Sequence, residues 1–475
     1  TITEGDMIHI NPDLEAGGDW NMVRLYSEPA DSYSDENPML PGFGAVAGII
    51  ALLGAALLTP STLLPIAPLK VLSFSDKEKI IYCGLAEKVF TASKAGMAHI
   101  DPKAMDWVAI DPEHLKRVYD DLVTEYGATV LFNTFMSGVE AQDGKVSAII
   151  LSNKAGLTAY TAKVFVDCTG DADLSAWAGA EFEQGDESSD LQPATHCFTI
   201  SNINQEAYFS GENLHPGNKN SPIYQITNEG KYPLIPDTHA CNTLIGPGTV
   251  GFNAGHIWNV DNTRPETVSK AMMHGRKIAK AFRDALAEYV PEVFGNSFLV
   301  QTGSLMGIRE TRRIIGDYRL VLDDYLNLRS FEDEICRNSY FIDVHHSKSL
   351  AERSKQKDGH EEWEKTSYRL KPGESHGIPY RCLTPKALTN VLVAGRSISC
   401  DRSVQGSVRV MPVCLAMGEA AGTAAAMTTD IPACDVHQVD VQALRKRLRE
   451  EGDEKETRQA WLEEIADRAK CPICG

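Results

Sequence analysis

The spacing of apolar residues changes several times along the chain, and each change marks an element. The run Val391-Leu-Val-Ala394 is continuously apolar and stops at Gly395, the pattern of a buried parallel strand. A loop carrying Gly406 follows, and Pro412 suits the first turn of a helix running to Met427. That helix is almost all Ala, Gly and Met, so a large neighbour must pack closely against it. Upstream, Asp76 to Ala95 has helical spacing, with Ile80, Ile81, Leu85, Val89 and Phe90 as its apolar positions. Asp111-Pro112 opens another helix, with Leu115, Val118, Tyr119 and Leu122 along one face. The period then shortens. Gly127–Phe132 reads as a strand. Val139–Gln142, Lys145–Leu151 and Thr158–Ala162 read as a β-meander turning at Asp143-Gly144 and Lys154-Ala-Gly156. The run Val164-Phe-Val166 closes this region, before Asp167-Cys-Thr-Gly170-Asp171-Ala-Asp173 and a helix from Leu174.

Residues 199–375 differ in character. They are rich in Asn, His, Pro and Gly, with a strand-like Thr249–Phe252 ahead of a long helix, Pro265–Tyr289. This reads as an inserted domain. The tail from Asp440 to Lys470 is a charged amphipathic helix with Leu444, Leu448, Trp461 and Ile465 as its apolar positions. Residues 1–41 are polar, acidic and broken by prolines, so a poorly ordered arm is expected. Ala45–Leu58 is wholly apolar but shorter than the roughly 20 residues of a spanning helix, and reads as a buried one.

Composition narrows the classes. The 475 residues suffice for two or three domains, and the net charge of −19 argues against nucleic acid or an anionic membrane as partner. Eleven cysteines form no disulfide-like framework, and no basic–apolar–small leader opens the chain. A cytoplasmic protein with reduced cysteines is the expectation.

Candidate chemistry lies in three places. Gly307-Ile-Arg309-Glu-Thr-Arg312-Arg313 concentrates guanidinium groups suited to carboxylate, phosphate or another anion. On a strand, Arg309, Thr311 and Arg313 would share a face; a surface ion-pair ladder is the alternative. His376-Gly-Ile-Pro-Tyr380-Arg381-Cys382 offers a phenol and a guanidinium, or a structural turn. His196, His239, His256, His345 and His346 are candidates for proton transfer, with His239 preferred because it precedes the glycine-rich Gly246-Pro-Gly248. His345-His346 with Asp343 fits no closed zinc spacing, and Cys471-Pro-Ile-Cys474 supplies only half of a four-sulfur site, so no bound metal is expected.

Taken together, Asp106–Pro112, Asp167–Gly179, Gly307–Tyr318, Ile378–Leu383 and Leu392–Met427 resemble the FAD-dependent oxidoreductases of the two-dinucleotide-binding-domain type. That family is distantly like fumarate reductase and the heterodisulfide reductase flavin subunit. The resemblance runs from about Lys70 to Met427. It implies an α/β fold with an α+β insertion: an FAD-binding mixed sheet with a β-meander, in two parts (42–198 and 376–433), around a substrate domain (199–375), ahead of a C-terminal helix and CxxC tail (434–475). It implies FAD close to Thr169, Gly170, Asp171, Gly395, Arg396, Val410 and Met411, with Arg309, Arg313, Tyr380, Arg381 and His239 serving substrate or protons. The family's GxGxxG turn has its nearest equivalent in Gly42-Phe-Gly44, without the usual strand before it. Hydride or electron transfer between flavin and an anionic small molecule is the implied function. Two alternatives stay open: a fold that has lost tight FAD binding, or an electron-transfer subunit using an electron-carrier protein with an iron–sulfur centre.

Overall fold

The computed structural model describes residues 69–71, 74–97, 99–347 and 368–453. Gly42, Gly44, the acidic arm, the Ala45–Leu58 run, Trp461, Ile465 and the CxxC tail lie outside the described residues. Strand β1 (Leu69–Val71) is followed by helix α1 (Leu85–Ala95), strand β2 (Val108–Ile110), antiparallel to β1, and helix α2 (Pro112–Glu125). The helix expected from Asp76 starts only at Leu85. The Asp76 carboxylate instead accepts the N–H groups of Glu78 and Lys79 at 3.0 and 2.9 Å, closing a turn, and Gly84 enters the helix at φ 69°. Both Glu419 oxygens accept the Leu85 N–H at 3.2 Å, so a carboxylate of the chain itself occupies the start of α1. In α2, Asp111 caps the Glu113 N–H at 2.9 Å, and Leu115, Val118, Tyr119 and Leu122 are buried as their spacing implies.

Residues 127–132 are not a strand; Val130, Leu131 and Phe132 are exposed, and apolar spacing there serves no core. The meander begins just beyond, as β3 (Phe135–Gln142), β4 (Lys145–Asn153) and β5 (Gly156–Thr161), all antiparallel. Asp143 and Gly144 both have positive φ, 50° and 76°, as a tight two-residue hairpin requires. Next come β6 (Phe165–Asp167), α3 (Asp173–Trp177) and β7 (Phe182–Gln184).

A second core starts at Ala194. It comprises β8 (Phe198–Ser201), α4 (Gln205–Ser210), α5 (Pro222–Glu229), β9 (Ala240–Gly246), β10 (Thr249–Ala254), α6 (Pro265–Tyr289), α7 (Pro291–Phe294) and β11 (Phe298–Thr302). Its strands form an antiparallel sheet in the order β11-β8-β10-β9. Phe198 stacks on Phe252 at 4.9 Å, and Phe282 of α6 lies 5.7 Å from Phe198, all three fully buried. This core ends at Ile308. Leu320, Tyr325, Ile342 and Leu370, expected with the insertion, belong to the first core.

The chain returns through β12 (Arg312–Ile314), paired with β7, then α8 (Leu322–Leu326), and β13 (Glu334–Asn338), paired with β14 (His376–Pro379). β15 (Val391–Val393) lies parallel to β6 in the register Val391↔Phe165, Leu392↔Val166, Val393↔Asp167. The stretch read as a glycine loop contains α9 (Arg402–Val408), started by the Asp401 side chain, which accepts the Val404 N–H at 2.8 Å. Helix α10 (Met411–Thr428) is buried almost all round, as its small residues imply, and α11 (Val441–Asp453) seats Leu444 in the first core. Among the described residues no single helix is long and apolar enough to cross a membrane; α9 and α10 pass that test only together, bent by 91°.

Candidate functional site

Parallel pairing of β6 with β15 brings two distant turns into one place, at the carboxyl ends of both strands. The Asp167 carboxylate shapes the first turn. It accepts the Thr169 N–H and hydroxyl at 3.1 and 2.8 Å, and the Ser175 N–H and hydroxyl at 2.9 and 2.8 Å. Gly170 sits at φ 77°, and a Cβ there would lie 2.6 Å from Arg396 Nη1. Only glycine permits that approach. The second turn carries Gly395 at φ 96°, followed by the buried Arg396. Arg396 Nη2 donates to Asp171 Oδ1 at 2.7 Å, and Thr311 and Asn262 also donate to the Asp171 carboxylate. Thr169, Gly170, Asp171, Gly395 and Arg396, all read from sequence as one site, are therefore neighbours. Val410 and Met411 form the start of α10, which no side chain caps.

Arg309 and His239 fall in a second cluster, reached from the first by the short segment 309–312. Arg309 is buried; Nη1 donates to the Pro193 carbonyl at 2.6 Å and the Thr195 hydroxyl at 2.8 Å, and Nη2 to Asn253 Oδ1 at 3.4 Å. Burial, aided by the nearby Arg409 charge, lowers its pKa to about 10. His239 leads into β9 and His256 follows β10, so the hairpin holds both rings at one end, stacked with centroids 4.2 Å apart. His345 arrives from the other core; its backbone N–H donates to Gln192 Oε1 at 3.1 Å. Asp237 accepts His256 Nδ1 at 2.7 Å, and Arg409 Nη2 holds Asp343 at 3.3 Å. Burial pushes the His239 pKa well down and that of His345 to about 3; the charge of Arg309 adds to both. Asp237 and Arg409 were not singled out as site residues in the sequence, and Asp343 was weighed only beside His345-His346 as a metal ligand and set aside. Asp237 and Asp343 lie two residues before His239 and His345, the only signal available.

The other expected residues lie elsewhere. Arg313 is buried against Glu310, which also accepts Arg402 at 3.1 Å and the Gln192 N–H at 3.0 Å. It belongs to a buried ion-pair network, because β12 is too short to put Arg309 and Arg313 on one strand face. The Tyr380 hydroxyl donates to the Val436 carbonyl at 2.8 Å inside the first core, and burial holds its proton far above the ordinary range. Arg381 is half-exposed and paired bidentately with Asp333 at 2.8 and 3.1 Å. Neither reaches Arg309's cluster. The family resemblance had placed them beside the cofactor; here the 3₁₀ turn after β14 commits both side chains to structural partners.

Two glycine turns at the ends of parallel strands, with an uncapped buried helix start nearby, define a nucleotide-cofactor protein of α/β type. A family model described as FAD dependent oxidoreductase matches residues 59–448, and the chain belongs to that family. The protein is an FAD-dependent oxidoreductase, and FAD is its cofactor. A comparison with curated proteins returns no match. Among solved structures it is similar to a geranylgeranyl bacteriochlorophyll reductase-like protein from Thermoplasma acidophilum (12% identity, TM-score 0.38, covering 90% of this chain and 85% of that one). It is also similar to L-proline dehydrogenase from P. horikoshii (12%, TM-score 0.30, 85% and 83%). The residues present fit a flavin. Arg396 is buried with Nε and Nη1 lacking any hydrogen-bond partner among the described residues, so the site holds donors in want of an acceptor.

Proposed function

We propose that the enzyme moves a hydride or an electron pair between its flavin and a small anionic organic molecule held at Arg309 beside the three histidines. One observation carries this reading. The buried or largely buried neighbours Arg312, Arg313, Arg396, Arg402 and Arg409 all have carboxylate partners: Asp173, Glu310, Asp171, Glu310 and Asp343. Arg309 has only neutral acceptors among the described residues. The Asp343 charge acts on Arg309 without forming an ion pair with it, so the buried guanidinium has no directly bonded anion among the described residues, and an anionic ligand is a group that would satisfy it.

FAD supplies the two-electron chemistry when bound. The chain's own residues do the positioning. Arg309 grips the carboxylate or equivalent anion through its planar donors. Asp237 accepts His256 Nδ1 at 2.7 Å, which orients the ring so that Nε2 faces His345 and the cluster. The segment from Arg309 to Arg312 joins the two clusters, since Thr311 donates to Asp171 of the flavin turn two residues beyond Arg309.

The test is a panel of small mono- and dicarboxylates titrated into flavin-loaded protein, read by perturbation of the flavin spectrum and by anaerobic reduction. Arg309→Gln should weaken anion binding by about 10- to 100-fold, the worth of a charged hydrogen bond, with flavin content unchanged. Equal binding by wild type and variant would sink the assignment.

A further inference from the structure

Beyond anion binding, we infer that His239, His256 and His345 form a three-histidine site for a divalent transition-metal ion of the zinc or cobalt type. One ring nitrogen of each histidine lies within 4.8 Å of the others, and all three residues are partly buried. Three imidazole nitrogens are the donor set such ions favour, and three protein ligands leave a fourth position for water or substrate.

The contacts between the rings show where a cation would sit. His256 Nδ1 lies 2.7 Å from Asp237 Oδ2, so that nitrogen carries the proton and Nε2 is a lone pair. His256 Nε2 faces His345 Nδ1 at 2.8 Å, while His345 Nε2 faces Asp343 Oδ1 at 3.6 Å. A neutral imidazole carries one proton. If His345 donates to Asp343, two lone pairs oppose each other across 2.8 Å; if it donates to His256, its other lone pair faces a carboxylate. The second arrangement satisfies the 2.8 Å contact with one shared proton, and a metal ion would take that proton's place between the inner nitrogens.

His239 adds a third donor. Its Nδ1 is buried and has no hydrogen-bond partner among the described residues. Asp237 holds His256 in a carboxylate–histidine arrangement that turns Nε2 inward, and Asp343 lies 3.6 Å from His345 Nε2 on the outer side. With metal–nitrogen bonds of about 2.0–2.1 Å in tetrahedral geometry, His256 Nε2 and His345 Nδ1 would separate by roughly half an ångström, and the His239 ring, now stacked at 15° to His256, would turn to aim its nitrogen at the ion. The pieces come from both cores, since His239 and His256 flank one hairpin and His345 sits beside Asp343, anchored by Arg409. Their sequence spacing therefore matches no metal motif.

The site is tested with the metal alone. Flavin-loaded full-length protein carrying Cys471→Ser and Cys474→Ser, which removes the terminal thiols as competing ligands, is stripped with a chelator and titrated with Zn²⁺, then with Co²⁺. One ion per chain is expected, with Co²⁺ ligand-field bands of tetrahedral intensity to the red of the flavin bands. His256→Gln and His345→Gln should abolish stoichiometric binding, and the milder Asp237→Asn should weaken it by about 10- to 100-fold. Flavin content and melting temperature, measured on each variant, confirm that it is folded. Absence of stoichiometric binding in the parent protein, or binding that survives both histidine variants, would overturn the proposal and leave the cluster a proton-sharing pair. Arg309→Gln separates this from the anion reading: it should lower carboxylate binding while Zn²⁺ remains bound.

Discussion

At the scale of residues, the arginines show how partners decide meaning. Five in the same neighbourhood are paired directly with carboxylates, whereas Arg309 bonds only neutral acceptors among the described residues. The sequence showed the cluster but not the partners, because Glu310, Asp171 and Asp343 reach their guanidinium groups only through folding. Gly170 is tightly constrained in the turn after β6. Gly170→Ala forces a Cβ to within 2.6 Å of Arg396 Nη1 at φ 77°. We expect it to cost about 1–3 kcal/mol and to lower the flavin retained per chain, measured by denaturant unfolding and visible absorbance. Asp173 supplies a pH test. Burial first, then the neighbouring Asp171 charge, raises its pKa to about 6, and pairing with Arg312 does not offset them. A raised carboxyl stabilises the fold below its unfolded pKa, and that contribution is lost as pH rises through about 6. The stability of wild type relative to Asp173→Asn should therefore fall by roughly 2–3 kcal/mol between pH 4 and pH 7, and a flat difference would contradict the assignment.

At the scale of elements, α10, α2, α6 and the meander follow from local pattern. Small-residue composition, the Asp-Pro start, the Pro265 start and the Asp-Gly turn each act through neighbours in sequence. Three elements did not. α1 starts late because Asp76 closes its own turn, residues 127–132 find no place in a core, and α9 replaces a supposed loop. Gly406 explains the last error: it signalled a loop, but it lies inside α9, where a Cβ would meet Val344 Cγ2 at 2.9 Å and the Asp343 carbonyl at 3.0 Å. In an exposed helix, replacing glycine by alanine gains roughly 0.5–1 kcal/mol. Here Gly406→Ala should lower the melting temperature instead, because the helix presses on the segment that presents Asp343 and His345. A raised melting temperature would show that this contact is slack.

At the scale of the whole molecule, the two glycine turns after β6 and β15 belong to strands far apart in the chain, while the histidine cluster spans two cores. Flavin should therefore act as a tie. Saturating stripped protein to about 100 times the Kd should add about 2.7 kcal/mol of stability, seen as a concentration-dependent rise in melting temperature, and Gly170→Ala should blunt that rise. A melting temperature indifferent to added FAD would count against the site. The glycine turns after β6 and β15, the long helices and the flavin-family pattern were determined by sequence alone, because each depends on contacts a few residues apart or on backbone freedom that only glycine has. The pairing of those turns, the burial of Tyr380, the neutralisation of Arg313 and the meeting of His239 with His256 and His345 were decided only by tertiary structure. Those outcomes depend on which charges and lone pairs packing brings together across long separations, and no local spacing encodes that.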